Sequence, residues 1–135
     1  MTYYRTIHFS DTDAAGVVYF ASLLSICHEA YENALQLAGI DLKTFFKSSE
    51  TAIPIVHAEI DFYQPVFCGD RLNINLTPTQ LNDTEFEIVY HLFHECSLDK
   101  CVAKAKTKHV CINPIIRKRT SLSLSMIQWL LQQAT

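Results

Sequence analysis

The chain has 135 residues, 49% of them hydrophobic and 19% charged, with only 3 Gly and 4 Pro, so it can bury a core and is neither disordered nor low-complexity. Its formal net charge of −3 and the lack of any recognition motif argue against a nucleic-acid partner. No apolar run is long enough to span a bilayer, and the opening MTYYRTIHFSD lacks the basic-then-apolar layout of a secretory signal, so the expectation is one cytoplasmic domain over residues 1–135 with no membrane partner.

Residues 3–9 (YYRTIHF) have strand composition, and the polar loop of residues 10–16 follows. From Val18 to Leu37 the pattern is helical. Ser22, Ser25, Glu29, Glu32 and Gln36 recur every three to four residues as a narrow polar stripe, and the rest of the surface is apolar or small. Such a helix should be covered on most of its circumference, and Gly39 fits its C-terminal stop. After a loop through Ser48–Ser49 the period changes to two. Val56, Ala58, Ile60 and Phe62 alternate with polar neighbours, then Leu72, Ile74 and Leu76, then Phe86, Ile88, Tyr90 and Leu92, then Cys101, Ala103, Ala105 and Thr107. Four alternating strands with short turns predict an antiparallel sheet with one wet face. The economical packing is an α+β fold in which that sheet wraps around the one long apolar helix. Residues 120–133 suit a short terminal helix.

The stretch from His8 to Phe20, HFSDTDAAGVVYF, is the most informative. Two carboxylates, Asp11 and Asp13, precede Gly16 and the start of the helix. A carboxylate beside a helix N-terminus can act on a carbonyl whose developing oxyanion the helix end stabilises. Aspartates before helices also simply shape turns.

The run Asp11-Thr12-Asp13-Ala14-Ala15-Gly16-Val17-Val18-Tyr19-Phe20 resembles the D-x-D-x-x-G-x-V-x-[YFWH] signature of the 4-hydroxybenzoyl-CoA thioesterase family, which has the hotdog fold. Phe62-Tyr63-Gln64-Pro65 through Gly69-Asp70-Arg71-Leu72 is similar to that family's Y-x-x-P…G-D-x-L turn. The resemblance implies a helix wrapped by an antiparallel sheet, and a homo-oligomer, at least a dimer and often a tetramer, with active sites between subunits. It implies hydrolysis of an acyl-CoA, with no cofactor and no metal. Asp13 corresponds to the catalytic carboxylate and the backbone N–H of Phe20 to the oxyanion donor. Asp11 and Gly16 support the loop. Many relatives carry an acid in the helix where this chain has His28, with Glu29 one place on. Within the family, the run DTDAAGVVYFASLLSICHEAYE is most like the branch acting on 1,4-dihydroxy-2-naphthoyl-CoA in phylloquinone biosynthesis, an aromatic substrate.

Whether Asp13 attacks the thioester or activates a water is open on the sequence alone. Tyr19, Ile55, Val56 and Phe62 are candidates for the acyl pocket and equally for the core. Seven of the 11 basic residues lie between Lys100 and Arg119, a window without Asp or Glu. Of these, the Arg117-Lys118-Arg119 cluster is preferred over Lys104, Lys106 and Lys108 as a cradle for the phosphates of coenzyme A. The five cysteines (27, 68, 96, 101 and 111) contain no C-x-x-C and read as reduced thiols. His28-Glu29 lacks the second histidine of a zinc helix, and three glycines cannot write a phosphate or dinucleotide loop. A short-chain acyl-CoA or acyl-carrier-protein thioesterase and a non-catalytic acyl-CoA-binding module are the alternatives. A dehydratase of the same fold would need a D-x4-H run, which neither aspartate begins.

Overall fold

The computed structural model describes residues 2–133. Strand β1 (Thr2–Thr6) leads through a 3-10 turn (Phe9–Asp11) to helix α1 (Phe20–Leu37). Helix α2 (Leu42–Lys47) and strands β2 (Ile55–Phe62), β3 (Arg71–Gln80), β4 (Glu85–His94) and β5 (Ser97–Val110) follow, then the small hairpin β6 (Ile112–Asn113) and β7 (Lys118–Arg119), then helix α3 (Leu124–Gln133). The five long strands form one antiparallel sheet in the order β1-β3-β4-β5-β2.

On β3, β4 and the middle of β5 the inward side chains are those that the alternation marks; on the edge strand β2 Val56, Ala58 and Phe62 are instead exposed with only Ile60 partly buried, and on β5 a register shift buries Val102 while Cys101 stays half-buried. Leu72, Ile74, Leu76, Phe86, Ile88, Tyr90, Leu92, Ala103 and Ala105 are all buried, together with Leu23, Ile26, Cys27, Ala30, Tyr31, Ala34 and Leu35 of α1. These positions on α1 recur at helical spacing and put one broad face against the sheet. This is the hotdog arrangement, an α+β fold with the sheet around the long helix. The small side chains of β5 are matched by large ones opposite. The Tyr31 ring reaches across to His109, with ring centroids 4.8 Å apart.

Three features differ from the sequence expectation or lie beyond it. Strand β1 stops at Thr6, where the Ile7 N–H bonds to the Asp70 carbonyl and the chain turns. The loop before Ser48 contains α2, six residues long and too short to show a period. Strand β2 does not lie beside β3. It pairs with β5 at the far edge, with Phe62 opposite Ala103 and Ile60 opposite Ala105. The segment from Tyr63 to Asp70 therefore carries the chain across the end of the sheet. No helix among the described residues is long and apolar enough to cross a membrane.

Helix α1 ends as Gly39 predicts. At φ +85°, Gly39 donates to the Gln36 carbonyl and Ile40 to the Leu35 carbonyl, the two bonds of a Schellman cap. Helix α3 starts at Ser123, whose hydroxyl accepts the Met126 N–H, and buries Met126, Trp129 and Leu130.

Candidate active site

The polar loop folds back on itself within a few residues. The Gly16 N–H donates to the Asp13 carbonyl at 3.0 Å, and the Asp13 N–H donates to the Val17 carbonyl at 2.9 Å. Gly16 sits at φ +83°, a conformation that L side chains rarely adopt, which is why the turn closes at a glycine. The Asp13 Oδ1 accepts the Ala15 N–H at 2.9 Å, so half of this carboxylate does the work of a turn aspartate. Its other oxygen is left for the surroundings.

The loop is then sewn to the crossing segment. Val18 N–H donates to the Val66 carbonyl at 2.8 Å, and Val17 bridges Phe67. This brings Asp13 against the end of β2. A cavity of about 400 Å³ opens there, lined by Asp13, Val17, Val18 and Phe20 on one side and by Phe62, Tyr63, Gln64, Pro65 and Val66 on the other. Its wall is largely aromatic and aliphatic, with one carboxylate.

The start of α1 faces the same cavity. Tyr19 is the N-cap residue and offers no capping side chain. Its carbonyl takes the Ser22 and Leu23 amides, at 3.0 and 3.3 Å. The amides of Phe20 and Ala21 have no acceptor among the described residues, as expected of a helix's first turn. A free N–H at a helix N-terminus, where the helix dipole is positive, attracts developing negative charge.

Asp11 is held on several sides. Arg5 Nη1 donates to its Oδ2 at 2.7 Å, the His8 N–H donates to the same oxygen at 2.8 Å, and the Tyr19 N–H donates to its carbonyl at 2.8 Å. The hydrogen bonds from Arg5, ahead of the opposing effect of burial, hold the Asp11 carboxyl below the usual carboxylate range.

Comparison with known proteins agrees with this architecture. Residues 7–130 match the family model described as the thioesterase-like superfamily. The chain belongs to the thioesterase-like superfamily. A 1,4-dihydroxy-2-naphthoyl-CoA hydrolase of Crocosphaera subtropica is 79% identical over 130 residues, covering 96% of this chain and 95% of the relative. One of the same name from Rippkaea orientalis is 64% identical over 128 residues, covering 95% and 93%. The crystal structure of a 1,4-dihydroxy-2-naphthoyl-CoA thioesterase from Synechocystis superposes with a TM-score of 0.93 at 41% identity, covering 96% of this chain and 94% of that one.

In this thioesterase-like chain, Asp13, Phe20 and Phe62 come together at one cavity, with Asp11 and Gly16 in the loop beneath. Tyr19 lies beside Phe20, ring centroids 4.7 Å apart, and is itself half exposed. Ile55 and Val56 stand at the opposite end of β2, about 20 Å of extended strand away from Phe62. The Arg117-Lys118-Arg119 cluster lies on the β6–β7 hairpin, beyond the end of β5, where Arg119 pairs with Glu85 at 3.1 Å. Within one chain that cluster and Asp13 occupy opposite ends of the sheet. Lys104, Lys106 and Lys108 face carboxylates across the ladder: Asp61, Glu59 and Glu87. Acidic residues thus stand in register with this basic stripe.

Tyr63, which ends the alternating run of β2, and Gln64 and Pro65 of the turn after it are cavity wall that no sequence pattern marks. Arg5 carries one signal in the sequence. Arg5 is the single Lys or Arg in the first 42 residues, a stretch that holds Asp11, Asp13, Glu29, Glu32 and Asp41.

Proposed function

We propose that this chain hydrolyses 1,4-dihydroxy-2-naphthoyl-CoA to the free acid and coenzyme A. The observation that carries the reading is that Asp13 and Phe20, whose amide is unpartnered, line one aromatic-walled cavity, in a chain so close to relatives bearing that activity in their names. The Phe20 N–H would donate a hydrogen bond to the thioester carbonyl oxygen as it becomes an oxyanion. Asp13 either attacks the carbonyl carbon, expelling the thiolate and leaving an anhydride that water opens, or takes a proton from the water that attacks directly. Both routes end at the acid and the thiol. Phe20, Phe62, Tyr63 and Pro65 offer a planar aromatic acyl group a matching wall.

The working unit in this reading is a homodimer. Strand β2 is an open edge that exposes Ile55, Val56 and Phe62, and an apolar edge of that length calls for a partner. Antiparallel pairing of β2 with β2 of a second copy sets Ile55 and Val56 of one beside Phe62 of the other, and brings the basic hairpin of one to the Asp13 end of the other. The acyl pocket and the phosphate cradle then fall at one site. The whole chain, 1–135, acts as one such domain, and its five free cysteines suit the reducing cytoplasm.

The test is thiol release across aromatic and aliphatic acyl-CoAs and an acyl-carrier protein. The expected result is fastest turnover of 1,4-dihydroxy-2-naphthoyl-CoA, and a loss of about 10²–10⁴-fold in Asp13→Asn. Faster turnover of the carrier-protein substrate, tight binding without thiol release, or wild-type turnover by a folded Asp13→Asn protein would each overturn it.

A further inference from the structure

Arg5 stands between two carboxylates that the sequence separates by 18 positions. Its Nη1 and Nη2 reach Asp11 Oδ2 and Oδ1 at 2.7 and 3.4 Å. Its Nε and Nη2 reach Glu29 Oε1 and Oε2 at 3.1 and 3.4 Å. Nη1 also donates to the Thr6 carbonyl at 2.6 Å, and the Tyr3 hydroxyl donates to Glu29 at 3.2 Å. A planar guanidinium can fork to two carboxylates in this way and an ammonium cannot. The side chains of Arg5 and Asp11 are only 16% and 13% exposed, so solvent screens this pair little. Strand β1, the 3-10 turn and the middle of α1 are thus joined at one point.

That point is joined by the backbone to two residues of the cavity, Asp13 and Phe20. Asp11 is two residues before Asp13, and its carbonyl accepts the amide of Tyr19, the residue before Phe20. Asp11 is thus tied through the backbone both to the loop that carries Asp13 and to the residue before Phe20. We propose that Arg5 and Glu29 are positioning residues, and that the Glu29–Arg5–Asp11 ion triad holds Asp13 and the Phe20 amide in register with one another. Arg5 also neutralises Asp11, so Asp13 does not sit beside a second uncompensated negative charge. The inference rests on the assignment of Asp13 made above, and it gives Glu29 a part that does not require it to touch substrate.

Steady-state kinetics of the full chain on 1,4-dihydroxy-2-naphthoyl-CoA test it. Arg5→Gln is expected to lower kcat by about 10²-fold, the scale of a small misplacement at a reacting centre. KM should stay within about twofold, because ground-state contacts are untouched. Arg5→Lys should recover only part of the loss, and millimolar guanidinium should restore part of the kcat of Arg5→Ala, which a general loss of folding would not allow. Glu29→Gln, which leaves the Arg5–Asp11 pair in place, should show a smaller fall in kcat. Wild-type kcat in Arg5→Gln overturns the proposal. So does a loss that merely follows the folded fraction in thermal melts, with no guanidinium rescue. If the Arg5 variants do not fold, Glu29→Gln decides, and unchanged kcat there overturns it. Asp13→Asn, run alongside, separates the two readings: wild-type turnover in that variant removes the assignment of Asp13 itself.

Discussion

Two residues show how position, more than type, decides what a polar side chain does. Asp13 gives one oxygen to its own turn while lining the cavity, so the turn-forming and chemical readings of this aspartate are compatible. His109 is fully buried, stacked on Phe86 with centroids 4.6 Å apart, and its Nε2 meets the Thr107 hydroxyl at 2.7 Å. Burial pushes its pKa from 6.5 down to about 3. The unfolded chain therefore binds a proton that the native protein refuses. Stability is unaffected by this group above pH 6.5, falls as pH drops from 6.5 toward 3, and levels off below. Denaturant unfolding between pH 6.5 and 5, before carboxylates titrate, should show a slope approaching about 1.4 kcal/mol per pH unit from this one histidine. His109→Asn should flatten that slope, and an unchanged slope would show that the imidazole is protonated in the native state. Asp13 can be proposed from the sequence because its motif is local. Arg5 and Glu29 cannot, because nothing near either residue in sequence announces the other.

At the level of elements, the same backbone device appears at both ends of α1. Gly16 before the helix and Gly39 after it have positive φ, and a Cβ at either would meet nothing within 4 Å. The cost of a side chain at each is thus backbone strain alone, about 1–2 kcal/mol for alanine. Urea unfolding should register a similar loss for Gly16→Ala and Gly39→Ala. Activity should separate them: kcat falls in Gly16→Ala, whose turn carries Asp13, and holds in Gly39→Ala, at the other end of the helix. Equal kcat in the two would show that the 13–16 turn does not need its observed shape. Helix α1 and the alternating strands were readable because each buries one face over enough residues to repeat. Helix α2 buries nothing fully and is too short to repeat, so it read as loop.

For the whole molecule, the open edge at β2 is the feature that one chain leaves unresolved. Val56 is 59% exposed there, so Val56→Glu should leave the fold of a single chain intact while shifting sedimentation toward the monomer and reducing activity. A complementation experiment locates the basic hairpin. Asp13→Asn and the double variant Arg117→Ala, Arg119→Ala are each expected to be impaired alone. Mixed by refolding, they should regain about a quarter of wild-type activity if each site takes Asp13 from one copy and the hairpin from the other, as two-fold symmetry requires. No recovery would overturn the shared site and remove the hairpin from it. By itself the sequence determined the long helix, the five strands of the main sheet and the terminal helix, the wrapped-helix class and the Asp13–Gly16–Phe20 turn, because periodicity and local backbone chemistry are written within a few residues. Only the tertiary structure decided that β2 crosses to the far edge, that Tyr63 to Val66 close the cavity, and that Arg5 joins Asp11 to Glu29. Those contacts unite residues far apart in the chain, and their energies exist only once the sheet has closed on the helix.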